Sequence, residues 1–364
     1  MKLPLQHLDA RPARILVAMS GGVDSSVAAA LLQEAGFELV GVTLHLWDAR
    51  GESQVGRCCA PEDRDDARRS CDALGIPHYV IDEREAFRDQ VVDPFVADNR
   101  AGLTPSPCVH CNQGVKLGRL LDIAHSLGAS HVATGHYARL QRDPTGRVRL
   151  LRGVDRGKDQ SYFLFGLPQA VLSRMIFPLG ELTKEHAREH GRRLGVPNWH
   201  KPDSQELCFV PDGDVRGFVA REAGGTEGGA IVDPAGIELG RHAGIEGFTI
   251  GQRRGIGVSG PAPRYVLDVI PETRAVVVGP AEALLREGLE ATEASWIAPR
   301  PQSAFEAQVR IRYRHTPADA WVEPTTDGFR VRFREPQRAL APGQAAVLYQ
   351  DDEVLGGGFI RESV

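Results

Sequence analysis

The sequence predicts an α/β fold: a parallel-sheet domain first and small β-rich units after it. Three observations carry that expectation. Short apolar runs alternate with helix-like stretches over about the first two hundred residues, a glycine-rich turn follows the first apolar run, and after about residue 210 the pattern changes to short β-rich runs.

The elements follow in order. "RILVAM" (14–19) reads as a buried strand, and "SSVAAALLQEAG" (25–36) as a helix closed by Gly36. "ELVGVTLHLW" (38–47) is the next strand. "EDRDDARRSCDALG" (62–75) is a helix with acids in its first turn and Gly75 at its end. "PHYVID" (77–82) is a strand, "GVKLGRLLDIAHSLG" (114–128) a helix, and "HVATG" (131–135) a strand; a further strand is expected at "SYFLF" (161–165). Such alternation implies a parallel sheet covered on both faces, with ligands at the carboxyl ends of its strands. Beyond the glycine-rich stretch 221–240, "YVLDVI" (265–270), "AVVVG" (275–279), "FEAQVRIRY" (305–313), "FRVRF" (329–333), "AAVLY" (345–349) and "LGGGFI" (355–360) suggest one or two small antiparallel barrels.

Composition narrows the function. Of 364 residues 25% are charged and 42% apolar, as in ordinary globular proteins, and the net charge of −5 announces no basic partner-binding excess. No apolar run approaches a membrane span, and residues 1–14 lack the apolar core of a signal peptide. A cytoplasmic protein is expected, with reduced thiols. Its six unevenly spaced cysteines then suggest metal binding or catalysis rather than a disulfide scaffold.

"SGGVDSS" (20–26) sits at the first strand-to-helix junction. Gly21 and Gly22 admit close backbone approach, the following N–H groups open a helix, and Ser20, Ser25 and Ser26 offer hydroxyls, which together suit a polyanion. The loop has neither the Gly-Lys-Ser/Thr ending of a Walker A site nor a dinucleotide fingerprint, and a plain strand-to-helix turn is the bland alternative. "SPCVHCNQ" (106–113) places Cys108 and Cys111 three apart. Zinc is one reading, completed by His110 or Cys208, but no second CxxC exists and adjacent Cys58 and Cys59 suit one tetrahedral site poorly. Cys71, inside a helix, reads as a buried small hydrophobe.

The heptad at 20–26 resembles the pyrophosphate loop of ATP pyrophosphatases. "CCAPEDRDDARRSCDALGIPHYVID", "TPSPCVHCNQGVKLG", "HVATGHYAR", "GVDRGKDQSYFL", "PDSQELCFV", "GFTIGQRRGIGV" and "LGGGFI" then occur in an order similar to that of the bacterial tRNA-specific 2-thiouridylases. The resemblance implies a Rossmann-like domain, of the adenine nucleotide alpha hydrolase type, at 1–212. It implies a central β domain at 213–284 and a tRNA-contacting β-barrel at 285–364. It also implies ATP with Mg²⁺ as cofactors, and tRNA and a sulfur-donor protein as partners. Residue by residue, it assigns Ala18, Met19, Ser20, Gly21, Gly22, Val23, Asp24, Ser25, Leu44 and Gly135 to ATP. His136, Lys158, Asp159, Gln160, Arg312, Tyr313 and Gln344 go to tRNA. Cys208 would carry a persulfide and Cys111 would be its catalytic partner. "RIRYRH" (310–315), read as a strand, would present a basic face to phosphates; a charge-guarded edge strand is the alternative. One departure stands out: many members have Asp where this chain has Cys108. Three thiolates, Cys108, Cys111 and Cys208, could hold a [4Fe–4S] cluster with one open iron, so the cluster stands beside the metal-free persulfide route. Two rivals are a small-molecule ATP pyrophosphatase, with no use for the cysteine pair, and a non-enzymatic RNA-binding module.

Overall fold

The computed structural model describes residues 5, 7–8, 10–48, 61–203, 207–210, 213–260 and 262–364. Cys58 and Cys59, and the "SQE" that precedes Leu207, lie outside the described residues. The chain divides into two compact units. One comprises Met1–Gln90, Cys108–Gly213 and Asp352–Leu355; the other comprises Val91–Pro107, Asp214–Asp351 and Gly356–Val364.

The first unit runs β1 (Arg14–Ala18), α1 (Val23–Glu34), β2 (Glu38–His45), α2 (Pro61–Leu74), β3 (His78–Asp82), α3 (Arg84–Phe87), α4 (Leu117–Ser126) and β4 (His131–Ala133). A hairpin of β5 (Ala138–Arg142) and β6 (Val148–Arg152), then β7 (Met175–Ile176) and α5 (Lys184–Arg193), complete it. The sheet order is β3-β2-β1-β4-β7, with every neighbouring pair parallel. The expected doubly wound domain is therefore present. α1 is apolar almost all round and buried along most of its length, as a helix between sheet and cover must be. Toward the sheet, Ile15, Val17, Leu32, Leu39 and Cys71 share one core, while Val27, Leu31, Tyr137, Leu182 and Val196 form a second.

The second unit holds α6 (Val215–Glu222), a four-stranded sheet and a barrel. The sheet is built from β8 (Gly229–Val232), β9 (Glu238–His242), β10 (Tyr265–Ile270) and β11 (Ala275–Gly279) in the order β10-β11-β8-β9. It packs on Ile231, Ile245, Phe248, Val266, Val276 and Val278. The barrel strands are β12 (Leu285–Trp296), β13 (Phe305–Arg310), β14 (Ala318–Pro324), β15 (Phe329–Arg338), β16 (Ala345–Gln350) and β17 (Glu353–Ser363). They run β12-β15-β14-β13-β16-β17, and β17 returns to pair with β12, closing the barrel. Closure removes the exposed edges that an open sheet would leave. Among the described residues no helix is long and apolar enough to cross a membrane.

Three expectations need correction. The helix expected from residue 114 begins earlier, as a π-helical turn over Cys111–Lys116 that runs into α4. Gly114 lies inside this turn, where a Cβ would come within 2.7 Å of Gln90 Oε1. "SYFLF" is not a strand but a 3-10 helix, Ser161–Leu164. The Asp159 carboxylate accepts from the Ser161 N–H and hydroxyl, both at 3.1 Å, and starts a turn instead. Finally, β13 ends at Arg310, whose guanidinium donates to the Tyr313 carbonyl and bends the chain. Arg312 and Arg314 thus do not alternate along a strand with Arg310, which is itself buried.

Candidate active site

The phosphate loop begins where β1 leaves the sheet. Met19 N–H donates to the Val42 carbonyl at 2.8 Å and Thr43 Oγ1 donates to Met19 O at 2.7 Å, so Ala18 and Met19 are fixed by β2. Leu44 is buried farther along the same strand. Gly21 takes φ +75°, and its α-carbon lies against the Asp63 carbonyl, leaving no room for a Cβ. Gly22 caps α1, and Val23 is buried in its first turn. The three serines shape this loop. Ser20 Oγ accepts from Gly22 N–H at 3.3 Å and pairs with Ser25 Oγ at 3.2 Å. Ser25 and Ser26 donate to the Gly22 carbonyl at 3.0 and 3.2 Å. Ser26, fully buried, also pairs with the Ser70 hydroxyl at 3.1 Å. Its hydroxyl, expected to face a phosphate, therefore works within the fold. The backbone N–H groups opening α1 remain the donors that would suit an anion.

Gly135 was expected to admit a nucleotide. Its neighbour is the loop itself: a Cβ would stand 2.7 Å from both Asp24 C and Ser25 N. The glycine thus lets the end of β4 meet the start of α1. Beyond it, His136 Nδ1 pairs with Thr134 Oγ1 at 2.7 Å, and burial, helped by the charge of Lys116, lowers the imidazole to about 3. His136 is neutral at physiological pH and offers hydrogen bonds, not charge. Tyr137 donates its hydroxyl to Asp24 Oδ1 at 2.9 Å, and burial holds the phenol far above its ordinary range.

Sequence reasoning missed the cations that brace the loop. "SGGVDSS" has no basic residue, yet Lys184 Nζ reaches Asp24 Oδ1 and Oδ2 at 2.7 and 2.8 Å and Asp203 Oδ1 at 2.8 Å. Lys201 Nζ lies 3.3 Å from the Gly21 carbonyl and bonds Asp63 and Asp66, the latter at 2.6 Å; Asn198 Nδ2 donates to the same carbonyl at 2.9 Å. Burial raises the Asp63 carboxyl despite the Lys201 ammonium. Burial also pushes Asp203 up, but hydrogen bonds from Lys158 and Lys184 outweigh it and hold that carboxyl at about 2. The signal available in the sequence was the contrast between a polyanion loop without a cation and the lysines of "TKEH" and "WHKPD".

A hydrogen-bonded chain links this loop to the cysteine helix. Gln160 Oε1 accepts from Tyr137 N–H at 3.0 Å and Gln160 N–H donates to Tyr137 O at 2.9 Å. The 3-10 helix follows, and its Phe163 carbonyl accepts from Asn112 Nδ2 at 3.3 Å, one residue past Cys111. Cys111 is buried, Cys108 is exposed in the helical turn Pro107–His110, and Cys208 is half-buried; all three carry thiols. Cys208 precedes Phe209, whose ring meets Phe87 of α3 at 5.6 Å, and α3 packs against the Cys111–Lys116 turn. Among the described residues no group of three or more His, Cys, Asp or Glu is placed to hold a metal ion. The three-thiolate cluster set is therefore not assembled in this structure.

Of the expected tRNA contacts, Lys158 bonds Asp203 at 2.7 Å. Asp159 is 2% exposed, and its carboxylate holds Gly153 N–H at 3.0 Å besides Ser161, so it braces its own loop rather than facing outward. In the second unit Arg312 is exposed and donates to Arg338 O at 3.2 Å, while the Arg310 guanidinium stacks 5.4 Å over the Tyr313 ring. Gln344 Nε2 donates to the Thr104 and Pro105 carbonyls at 2.9 and 3.3 Å.

A parallel sheet with a glycine–serine loop at the end of its first strand, its anion-ready helix start braced by lysines, defines a nucleotide-binding α/β domain of the HUP class. Family models match in the same order: a tRNA methyl transferase HUP domain over 13–212, a tRNA methyl transferase PRC-barrel domain over 216–280 and an aminomethyltransferase β-barrel domain over 286–360. The chain is 49% identical over 354 residues to the tRNA-specific 2-thiouridylase of Geobacter metallireducens, covering 95% of this chain and 96% of that one. Those of Chloroflexus aggregans (50%, covering 96% and 98%) and Sorangium cellulosum (51%, covering 97% and 93%) are equally similar. The chain belongs to the tRNA-specific 2-thiouridylase family.

Proposed function

We propose that this chain is an ATP-dependent tRNA-uridine 2-sulfurtransferase. It adenylates the C2 oxygen of the wobble uridine and replaces that oxygen by sulfur, releasing AMP and pyrophosphate. The observation that carries this reading is the hydrogen-bonded path from Asp24 through Tyr137, Gln160 and Phe163 to the Cys111 helix. It ties the 20–26 loop to the helical turn that carries Cys111, which supports a reaction with an adenylation half and a sulfur half. In the domain arrangement proposed with it, 1–212 is catalytic, 213–284 is the central β domain and 285–364 is the tRNA-contacting barrel. The site of action is the cytoplasm, where thiols stay reduced.

In the first half, uridine O2 attacks the α-phosphorus and the bond to the bridging oxygen breaks, so pyrophosphate departs. The chain contributes position and charge: N–H groups at the start of α1, and the Lys184 and Lys201 ammonium groups beside the loop. Mg²⁺ bound with ATP would neutralise phosphate charge. In the second half, the terminal sulfur of a persulfide on Cys208 attacks C2, and the C2–O bond breaks as AMP leaves. The Cys111 thiolate then attacks Cys208 Sγ and breaks the S–S bond. Sulfur stays on the uridine, and the resulting disulfide is reduced by an external dithiol. A sulfur-donor protein reloads Cys208. His136, Lys158, Gln160, Arg312, Tyr313 and Gln344 are proposed tRNA contacts, with Asp159 holding the loop that presents two of them.

We take the persulfide route, which needs only Cys111 and Cys208, as the proposal, and a [4Fe–4S] cluster on Cys108, Cys111 and Cys208 as the outcome that would replace it. The test is incubation of the full chain with unmodified tRNA, ATP, Mg²⁺ and a persulfide donor, with nucleosides read by mass. Sulfur-for-oxygen exchange on uridine at C2 is expected. A methylated product, or none without added iron, would overturn the reading, as would iron retained after anaerobic reconstitution and needed for turnover.

A further inference from the structure

One carboxylate in the first unit gathers three cations. Asp203, with a side chain 24% exposed, accepts from Lys158 Nζ at 2.7 Å, Lys184 Nζ at 2.8 Å and Arg188 Nη2 at 3.1 Å. Each donor has a second task. Lys184 also holds Asp24 of the phosphate loop, and Arg188 donates to the carbonyls of Trp199 and Lys201 at 3.0 and 2.8 Å. Lys158 sits in the turn whose Gln160 holds Tyr137.

The chain arriving at Asp203 is pinned in the same way. Asn198 and Lys201 both bond the Gly21 carbonyl, and Lys201 adds Asp63 and Asp66. Five residues beyond Asp203 comes Cys208. On its far side Phe209 is buried against Phe87, and Val210 N–H donates to Leu207 O at 3.1 Å. In sequence, Cys208 therefore stands between an apolar anchor at Phe209 and an ionic one at Asp203, and the ionic anchor is part of the phosphate loop's own bracing.

We propose that Asp203 is a positioning residue for Cys208, fixing the chain five residues before it to the phosphate loop through Lys184 and to the 157–160 turn through Lys158. The physical argument is the charge count. A neutral amide in its place keeps the shape but leaves two ammonium groups sharing less negative charge, and charge-assisted hydrogen bonds weaken to ordinary ones. The link to turnover rests on the sulfurtransferase reading, whereas the lock itself does not.

The test uses the full chain as wild type, Asp203→Asn, Asp203→Glu and Lys158→Met. Native alkylation by iodoacetamide is followed by mass at each cysteine, together with Tm and thiolation kinetics. Cys208 is expected to react at least about 5-fold faster in Asp203→Asn, with Lys158→Met intermediate, Asp203→Glu close to wild type and Cys71 unlabelled throughout. The kcat for thiolation should fall about 10-fold or more while KM for ATP moves less than about 3-fold. Equal Cys208 rates in wild type and both neutral variants, or a rise matched at Cys71, would overturn the proposal, since the latter reports general loosening. Absence of thiolation in wild type would count against the sulfurtransferase reading alone, and the alkylation rates would still decide the lock. Should Asp203→Asn not fold, Lys158→Met decides.

Discussion

Gly21→Ala should abolish tRNA-dependent pyrophosphate release, with a loss of about 100-fold or more, while Gly75→Ala leaves it unchanged. Both glycines adopt the left-handed backbone, with φ +75° and +64°. A side chain in that region costs about 1–2 kcal/mol. Gly75 faces open space, so strain is its whole cost, whereas a Cβ on Gly21 would overlap the Asp63 carbonyl carbon and oxygen. Asp63 cannot simply withdraw, because Lys201 ties it to the Gly21 carbonyl on the other side of the turn. The loop must shift instead, and with it the N–H groups that open α1. Pyrophosphate release measured with saturating tRNA, beside thermal melting, separates the two effects. Gly75→Ala should lower Tm by only a few degrees, in line with about 2–4 °C per kcal/mol for mid-sized domains. A Gly21→Ala protein that melts like Gly75→Ala yet releases pyrophosphate normally would show that the loop does not bind the triphosphate.

The legible parts of this molecule are those whose physics is local. "RILVAM" and "ELVGVTLHLW" read as buried strands because both faces of each are covered, and Gly36 and Gly75 mark helix ends because each takes the left-handed conformation its position requires. The loop at 20–26 was legible for the same reason. What stayed hidden is carried by long-range pairing. Lys184 opens "KEHAREHGRR", which reads as a solvated helix, and its partner Asp24 is 160 residues away. Gly135 showed that a glycine was needed but not what would press on it; the occupant is the loop backbone. "SYFLF" misled because an apolar run carries no period, and only the buried Asp159 carboxylate turns it into a 3-10 helix. "RIRYRH" misled through alternation, which is meaningful only while the strand continues; it stops at Arg310.

Cys111→Ser and Cys208→Ser should each lower 2-thiouridine formation by about 10³-fold or more, while tRNA-dependent pyrophosphate release stays within about 10-fold of wild type. The expectation follows from the separate placement of the two halves. The phosphate loop is braced by Lys184, Lys201 and Asn198, none of which touches a thiol in the contacts described, so adenylation should proceed without either cysteine. The two variants should then part. Cys208→Ser should fail to take up sulfur from a persulfide donor. Cys111→Ser should load Cys208 but retain the sulfur there, because no thiolate remains to attack Cys208 Sγ and break the S–S bond. Cys71 serves as the comparison: it is fully buried, its sulfur would lie 2.6 Å from a Cβ on Gly41, and burial pushes the thiol up to about 12. Cys71 therefore has no thiolate to offer at neutral pH, and Cys71→Ser should cost stability but not sulfur transfer. Protein-bound persulfide, read by intact mass after exposure to the donor, is the deciding measurement. Retained turnover in Cys111→Ser, or loading of sulfur on Cys108 in its place, would refute the assignment of roles to the pair.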